Sequence, residues 1–208
     1  MSPAGSMTRA FDGLASRIDA LGARSIGFTS ALLGEGVSTV ALGAALSLAE
    51  LRGSDVLLVD GNWLQPSLSE DAGLQGAPGL ADRLGRAAEL DATIQRTPGS
   101  HVAFLPIGDR TRTRPALRAL GSFVANETGS FETVVVDLPP ILAGEAFVLP
   151  WATVLDQVCV VLREDATPLP LLRQALERLH ATNAPCIVLN RTKASAVDVP
   201  ATLMAART

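Results

Sequence analysis

Two patterns in this chain predict an α/β domain: a doubly wound, mainly parallel sheet with helices on both faces. The first is a set of short, continuously apolar runs, as expected of strands buried on both sides. Val56-Leu57-Leu58-Val59 and Val134-Val135-Val136 are the clearest. The second is the alternation of these runs with longer segments of helical character, which marks strand–helix–strand units. A third observation locates the functional edge. A glycine-rich segment, Ala31 to Thr39, follows one apolar run, Asp60 and Asp137 each close another, and Asn190 ends a fourth. In such sheets ligands bind outside the carboxyl ends of the strands, and these four features all sit there.

Taken in order, Met7 to Leu21 reads as an amphipathic helix with Phe11, Leu14, Ile18 and Leu21 on one face. That face either packs on the domain or meets another subunit. Arg24 to Ser30 is the first strand, and Ser38 to Arg52 is a helix of small residues stopped by Gly53. Asp55 to Asp60 is the second strand. The stretch from Ser67 to Pro98 carries short helical signals at Pro78–Leu84 and Leu90–Arg96. His101 to Pro106 is a strand, Gly108 to Arg114 a polar basic loop, and Pro115 to Asn126 a helix with proline in its first turn. Thr133 to Asp137, Gln157 to Leu162 and Pro185 to Leu189 are further strands, with a helix over Pro168 to Thr182. The domain division expected is an N-terminal helix over 1–24, the α/β domain over 25–193 and a weakly patterned tail over 194–208.

The chain has 208 residues, enough for one sizeable core. With 48% hydrophobic and 18% charged residues it is a globular sequence. A formal net charge of −4 argues against nucleic acid as a partner. Cys159 and Cys186 stand alone in apolar runs, which predicts two thiols and neither a disulfide framework nor a metal site. The N-terminus lacks the pattern of a signal peptide. The apolar region from Leu138 to Leu162 is interrupted by Pro139, Pro140, Glu145, Pro150 and Asp156, so no spanning helix is expected. His101 and His180 have no partner pattern, and Trp63 and Trp151 read as packing or partner contacts.

Strand, glycine-rich turn and helix is the layout of a phosphate-binding P-loop, which specifies the fold as one of P-loop NTPase type. Gly34 and Gly36 let the backbone curl so that successive N–H groups point inward, and the helix adds its positive dipole end. The residues expected to contact nucleotide are Gly34, Glu35, Gly36, Val37, Ser38 and Thr39. Glu35 belongs to the loop by position, but its charge gives it no evident role toward a phosphate. Ser38, Asp60 and Asp137 are the candidate Mg²⁺ ligands, because a hydroxyl and strand-end carboxylates are the oxygens such a cation takes. The two aspartates are also the candidates for any catalytic role. The motif calls for Gly-Lys-Ser/Thr, and the lysine position is Val37.

The motifs together resemble those of bacterial tyrosine autokinases, the cytoplasmic partners of polysaccharide co-polymerases in capsule and exopolysaccharide synthesis, within the MinD/ParA-like P-loop class. The resemblance is carried by Thr29-Ser30 with Gly34-Glu35-Gly36 and Ser38-Thr39, by Val56 to Asp60 followed by Pro66, and by Phe131 to Pro140 with its Asp-x-Pro-Pro element. The Gly144-Glu145-Ala146 turn and Val188-Leu189-Asn190 also fit. It runs from about Ser25 to Lys193. It implies ATP or ADP with Mg²⁺ as ligand, Asn190 near the adenine, self-association, and an inner-membrane co-polymerase or transport protein as partner, with the chain peripheral to that membrane.

The departures predict lost chemistry. Besides Val37, Asn62 stands where the family's second motif has an aspartate, and Leu64 and Gln65 stand where it has basic residues. The first helix lacks the Glu-x-x-Arg-x-x-Arg pattern. The chain has no tyrosine, so it cannot phosphorylate itself on one. Removing a preorganised charge from a phosphoryl-transfer site costs about 3 kcal/mol in the transition state, about a hundredfold in rate. Of the cations that could substitute, Lys193, the only lysine, follows Asn190 on the side where a base would bind, and Arg110, Arg112 and Arg114 on one loop are the better candidates, although an exposed basic loop is the commoner reading of such a run. The expectation is a degenerate regulatory subunit with weak or lost nucleotide binding. The alternatives are an active ATPase or kinase of the same family acting on a partner chain, and a MinD/ParA-like positioning ATPase.

Overall fold

The computed structural model of the protein describes residues 3–86, 88–96, 98–111, 116–179 and 183–190. Seven strands form one sheet in the spatial order β3-β4-β2-β5-β1-β6-β7. They are β1 (Ser25–Ser30), β2 (Val56–Asp60), β3 (Gln95–Arg96), β4 (Val102–Leu105), β5 (Thr133–Asp137), β6 (Gln157–Arg163) and β7 (Cys186–Asn190). Every pairing is parallel except β3 with β4. β1 lies inside the sheet between β5 and β6, so its glycine-rich continuation leaves from the interior of the carboxyl edge.

The sheet separates two apolar layers, and strand alternation assigns residues to each. Ile26, Phe28, Val56, Leu58, Val135, Cys159 and Val161 face one layer with α1 (Pro3–Ala20) and α2 (Val37–Arg52). Leu57, Val59, Val134, Val136, Val158 and Val160 face the other. That second layer takes residues from α4 (Leu80–Leu84), α6 (Leu117–Asn126), α7 (Ile141–Val154) and α8 (Leu169–Leu179). The short α3 (Ser67–Asp71) and α5 (Leu90–Thr93) complete the helices described. By the same alternation Asp60 and Asp137 lie on the α2 face, the side on which the loop after β1 turns into its helix.

Ala15 and Ile18 of α1 are buried in the α2 layer, and the Phe11 ring lies over Gly43 so closely that a Cβ there would stand 2.2 Å from Phe11 Cδ2. Asp12 accepts the Ser47 hydroxyl at 2.8 Å, and Arg52 reaches Asp19 at 2.8 Å. The face of the first helix is therefore covered by its own domain. Leu21, expected on that face, is 53% exposed, because the helix ends at Ala20 and the chain turns away through Gly22.

Two segments differ from the sequence reading. Ile141 to Val154, to which no element was assigned, is a helix. Pro140 sits at its N-cap, where no donor is needed, and Gly144 takes φ −137°, ψ 35°, so the kink absorbs the irregularity. The Gly144-Glu145-Ala146 element is this kink and not a free turn. The helical signal over Leu90–Arg96 stops at Thr93, and Gln95 and Arg96 pair antiparallel with β4. The end of the Pro168–Thr182 helix beyond Leu179 and the tail over 194–208 lie outside the described residues.

Candidate functional site

The loop between β1 and α2 is folded by its own groups. Gly34 and Gly36 have φ +80° and +87°, a region L side chains avoid, and Gly36 is the N-cap of α2. A Cβ on Gly36 would also stand 2.3 Å from Asn190 Nδ2. That amide donates to the Glu35 carbonyl at 2.8 Å, which stitches the end of β7 to the loop. The sequence placed Asn190 at the nucleotide edge; its described bond is to the loop backbone.

Glu35 has a role that sequence reasoning missed. It is 4% exposed, and its Oε2 accepts the N–H groups of Ala31 at 3.0 Å and Leu32 at 3.2 Å. Its Oε1 accepts the Thr167 hydroxyl from the turn after β6. The carboxylate thus closes the loop from inside, satisfying two backbone N–H groups at its start. An acid among glycines in a loop rich in unpaired N–H groups was the available signal. The N–H groups of Val37, Ser38 and Thr39 precede the first backbone bond of α2, Val40 N–H to Gly36 C=O at 3.1 Å, and are the ones a helix leaves open.

A cavity of about 340 Å³ lies against these groups. It is lined by the loop from Leu33 to Thr39 together with Ser30, Leu42, Asn62, Gln65, Ser67, Leu68, Asp71, Leu138 and Pro140. Among the described residues no lysine or arginine lines it. Val37 is 8% exposed and belongs to the α2-side core, so the lysine position is filled by a packed apolar side chain. Arg110, the described member of the proposed substitutes, donates to the carbonyls of Trp63 at 2.8 Å and Leu64 at 3.1 Å. It braces the turn after β2 instead of entering the cavity. Arg112, Arg114 and Lys193 lie outside the described residues.

Asp60 and Asp137 are in register on β2 and β5, both fully buried. Their surroundings differ. Asp60 Oδ2 accepts the Ser69 N–H at 2.9 Å and the Ser69 hydroxyl at 2.7 Å, and Oδ1 accepts the Asn62 N–H at 3.1 Å. Burial raises its pKa, partly offset by those bonds and by the Arg110 charge. Neither oxygen of Asp137 has a hydrogen-bond partner. Burial pushes its pKa well up, the nearby Ser38 hydroxyl pulls it down in part, and Asp60 beside it pushes it up again. The Ser38 hydroxyl itself pairs with Ser67 Oγ at 2.7 Å.

A buried carboxyl with two unsatisfied oxygens needs a proton or a cation. The donor set fits Mg²⁺, a hard ion that takes oxygen ligands. Asp137 and the Ser38 hydroxyl would hold it, with Asp60 shaping the field beside them. On the rim, Asn62 Oδ1 caps the next turn by accepting Leu64 N–H at 3.3 Å and Gln65 N–H at 2.9 Å, and Asp71 adds a carboxylate.

The remaining candidates are structural. His101 pairs with Asp55 at 3.0 Å, at the end of the strands away from the cavity. Trp151 is fully buried edge-to-face with Phe123, and Trp63 is buried and stacks on Phe147. Cys159 and Cys186 are free thiols in register on neighbouring strands. Among the described residues, no helix is long and apolar enough to cross a membrane.

Fold and loop together have the layout of a phosphate-binding P-loop domain. Comparison with known proteins sharpens this. No family profile matches the chain. In sequence, 123 residues are 28% identical to the tyrosine-protein kinase YwqD of Bacillus subtilis strain 168. The match takes in 58% of this chain and 52% of the relative, so the chain spans about half the length of that kinase. In structure it is similar to the VpsO kinase domain, with a TM-score of 0.76 and 24% identity over 91% of this chain and 94% of that one. The kinase domain of the Escherichia coli tyrosine kinase ETK gives 0.75 and 18%, over 91% of this chain and 77% of that one. MinD from Pyrococcus horikoshii, in a complex with Mg-ADP, gives 0.63 and 24%, over 83% of this chain and 72% of that one. The resemblance to bacterial tyrosine kinases within the MinD-like P-loop class therefore stands on both sequence and fold.

Proposed function

We propose that this chain is a catalytically degenerate, tyrosine-autokinase-like P-loop subunit. In this reading it sits at the cytoplasmic face of the inner membrane by docking on a polysaccharide co-polymerase or transport protein, and it regulates exopolysaccharide or capsule polymerisation and export. The supporting observation is Val37, packed into the core where a phosphate-binding lysine would project, in a cavity lined by no described cation. The backbone cradle, the Ser38 hydroxyl and the paired aspartates are kept, which supports retained, weak binding of ATP or ADP with Mg²⁺. Chemistry is the part lost, because phosphoryl transfer depends on charge stabilisation that neutral Asn62 and Gln65 do not supply.

The absence of tyrosine removes self-phosphorylation as a signal, so regulation would act through nucleotide occupancy and docking. The test is phosphate release from Mg·ATP by the purified chain, alone and with a co-polymerase partner. The reading requires no release above background in either case. Steady turnover would replace it with the second reading, an active family member working on a partner chain, which the intact Asp60–Asp137 pair favours.

A further inference from the structure

We infer that Cys159 and Cys186 are a redox-sensitive thiol pair, which a small disulfide such as glutathione disulfide, entering between α1 and β7, converts into a reversible cross-strand bond that pins the edge of the sheet.

Three observations carry it. First, the pair has the geometry. Cys159 and Cys186 are in register on the parallel strands β6 and β7, and both lie on the α1–α2 side of the sheet. In-register Cα atoms on neighbouring strands stand about 4.8 Å apart, inside the window of about 4.4–6.8 Å that a disulfide spans. Both residues are free thiols, and the Cys186 sulfur lies within hydrogen-bonding reach of the Cys159 thiol.

Second, the pair is approached from one side. Both residues line a cavity of about 490 Å³ together with Leu14, Arg17 and Ile18 of α1. Among the described lining residues the Arg17 guanidinium is the one full charge, a sign that suits an anionic disulfide. Cys159 is 1% exposed and Cys186 is half-buried, so an incoming reagent meets Cys186 first.

Third, the two thiols differ in the way a two-step exchange needs. Burial, and after it the adjacent Cys186, push the Cys159 pKa up, so Cys159 stays a thiol and Cys186 is the attacking group. Once the Cys186 sulfur is bonded elsewhere, its share of that effect is gone. Cys159 is then left beside the sulfur it must attack.

In the first step Cys186 gives its proton to water and its sulfur attacks one sulfur of glutathione disulfide. That S–S bond breaks, one glutathione thiolate leaves, and a mixed disulfide remains on Cys186. In the second step Cys159 loses its proton and attacks Cys186 Sγ, and the second glutathione leaves. Two electrons pass from the protein thiols to the reagent, which is released as two molecules of reduced glutathione carrying the two protons.

The bond would act on the candidate site through β7. That strand is the edge of the sheet and, among the described residues, pairs with β6 alone. Cys186 is its first residue, and Asn190, its last, holds the Glu35 carbonyl of the glycine-rich loop. Closing the bond therefore fixes the strand that braces the loop. In a reducing compartment such a bond is transient and reports oxidation.

The experiment incubates the folded chain with glutathione disulfide, quenches it in acid and reads the intact mass before and after dithiothreitol. The native chain is expected to lose the mass of two hydrogens, to remain monomeric without reductant, and to regain both thiols in dithiothreitol. Cys159→Ser, folded by circular dichroism, should stop at one glutathione adduct. Cys186→Ser should react at least about tenfold more slowly, because its remaining thiol is buried. Amide hydrogen exchange over Cys186–Asn190 should slow in the oxidised chain. Both thiols left free in the native chain, a lasting glutathione adduct on it, or disulfide-linked dimers would overturn the pairing. Equal reaction of Cys186→Ser would overturn the order of attack, and unchanged exchange in β7 would overturn the pinning of the edge.

Discussion

Asp60 and Asp137 are in register on neighbouring parallel strands, both completely buried, yet one is fully bonded and the other has no partner. Asp60 is spent on the architecture. It holds the N-terminal turn of α3 through Ser69, whose hydroxyl also accepts the Ile107 N–H at 2.9 Å. Asp137 has only the Ser38 hydroxyl near it, and neither of its oxygens makes a hydrogen bond within normal geometry. The same strand-end position thus carries one carboxylate tied into the fold and one left unsatisfied.

Asp137→Asn is expected to stabilise the metal-free protein near neutral pH. Burial raises the folded pKa, so the group's contribution to stability is fully present below its unfolded value and is lost as pH rises through the folded one. The variant and the parent should melt together in acid and diverge as pH increases. Leaving such a group unpaired costs about 1–3 kcal/mol, and each kcal/mol is worth about 2–4 °C in a domain of this size. Differential scanning calorimetry from pH 4 to 8 in EDTA checks the sign. Added Mg²⁺ should raise the parent's melting point and leave the variant's unchanged.

Glu35→Ala should unfold the loop before it unfolds the domain. The change strands the buried N–H of Ala31 and the part-buried one of Leu32 and removes the tie to Thr167. The expected loss is about 2–4 kcal/mol of stability. Amide hydrogen exchange read at residues 31 and 32 should speed up strongly, with the strands of the sheet protected. Unchanged exchange there would mean the carboxylate does not close the loop.

Gly36→Ala and Gly53→Ala form a matched pair. Both residues have positive φ, +87° and +60°, so both substitutions carry a backbone penalty of about 1–2 kcal/mol. A Cβ at Gly53 meets open space, whereas one at Gly36 meets Asn190 Nδ2 at 2.3 Å. Chemical denaturation should therefore show Gly36→Ala to be the costlier change. Combining it with Asn190→Ala should recover part of the difference, since the two sites share one contact.

Much of this architecture was legible in the residues. The runs Val56–Asp60 and Thr133–Asp137 show no alternation because both their faces are covered, and that same continuity marked them as central parallel strands. The carboxyl-edge placement of the loop and the two aspartates followed from their position at the ends of apolar runs. What was hidden depended on contacts across the chain. Pro140 and Pro150 look like breakers until Pro140 is seen at a helix start and Gly144 is seen absorbing the kink in α7. Arg110 looked like a substitute cation, but the carbonyls it braces at Trp63 and Leu64 are 47 and 46 residues away. Glu35 is held from Thr167, 132 residues distant, so no local pattern could show that its charge is already in use. The difference between Asp60 and Asp137 likewise lies in Ser69, which reaches only one of them.

The most direct measurement of the central claim is the affinity of Mg·ADP for Val37→Lys compared with the native chain, with folding of the variant confirmed by circular dichroism. A cradle intact except for its cation predicts tighter binding by about ten- to a hundredfold, the worth of one charged hydrogen bond of about 1.5–3 kcal/mol. A folded variant that binds no better than the native chain would contradict it, because the lysine position would then not face a phosphate site at all.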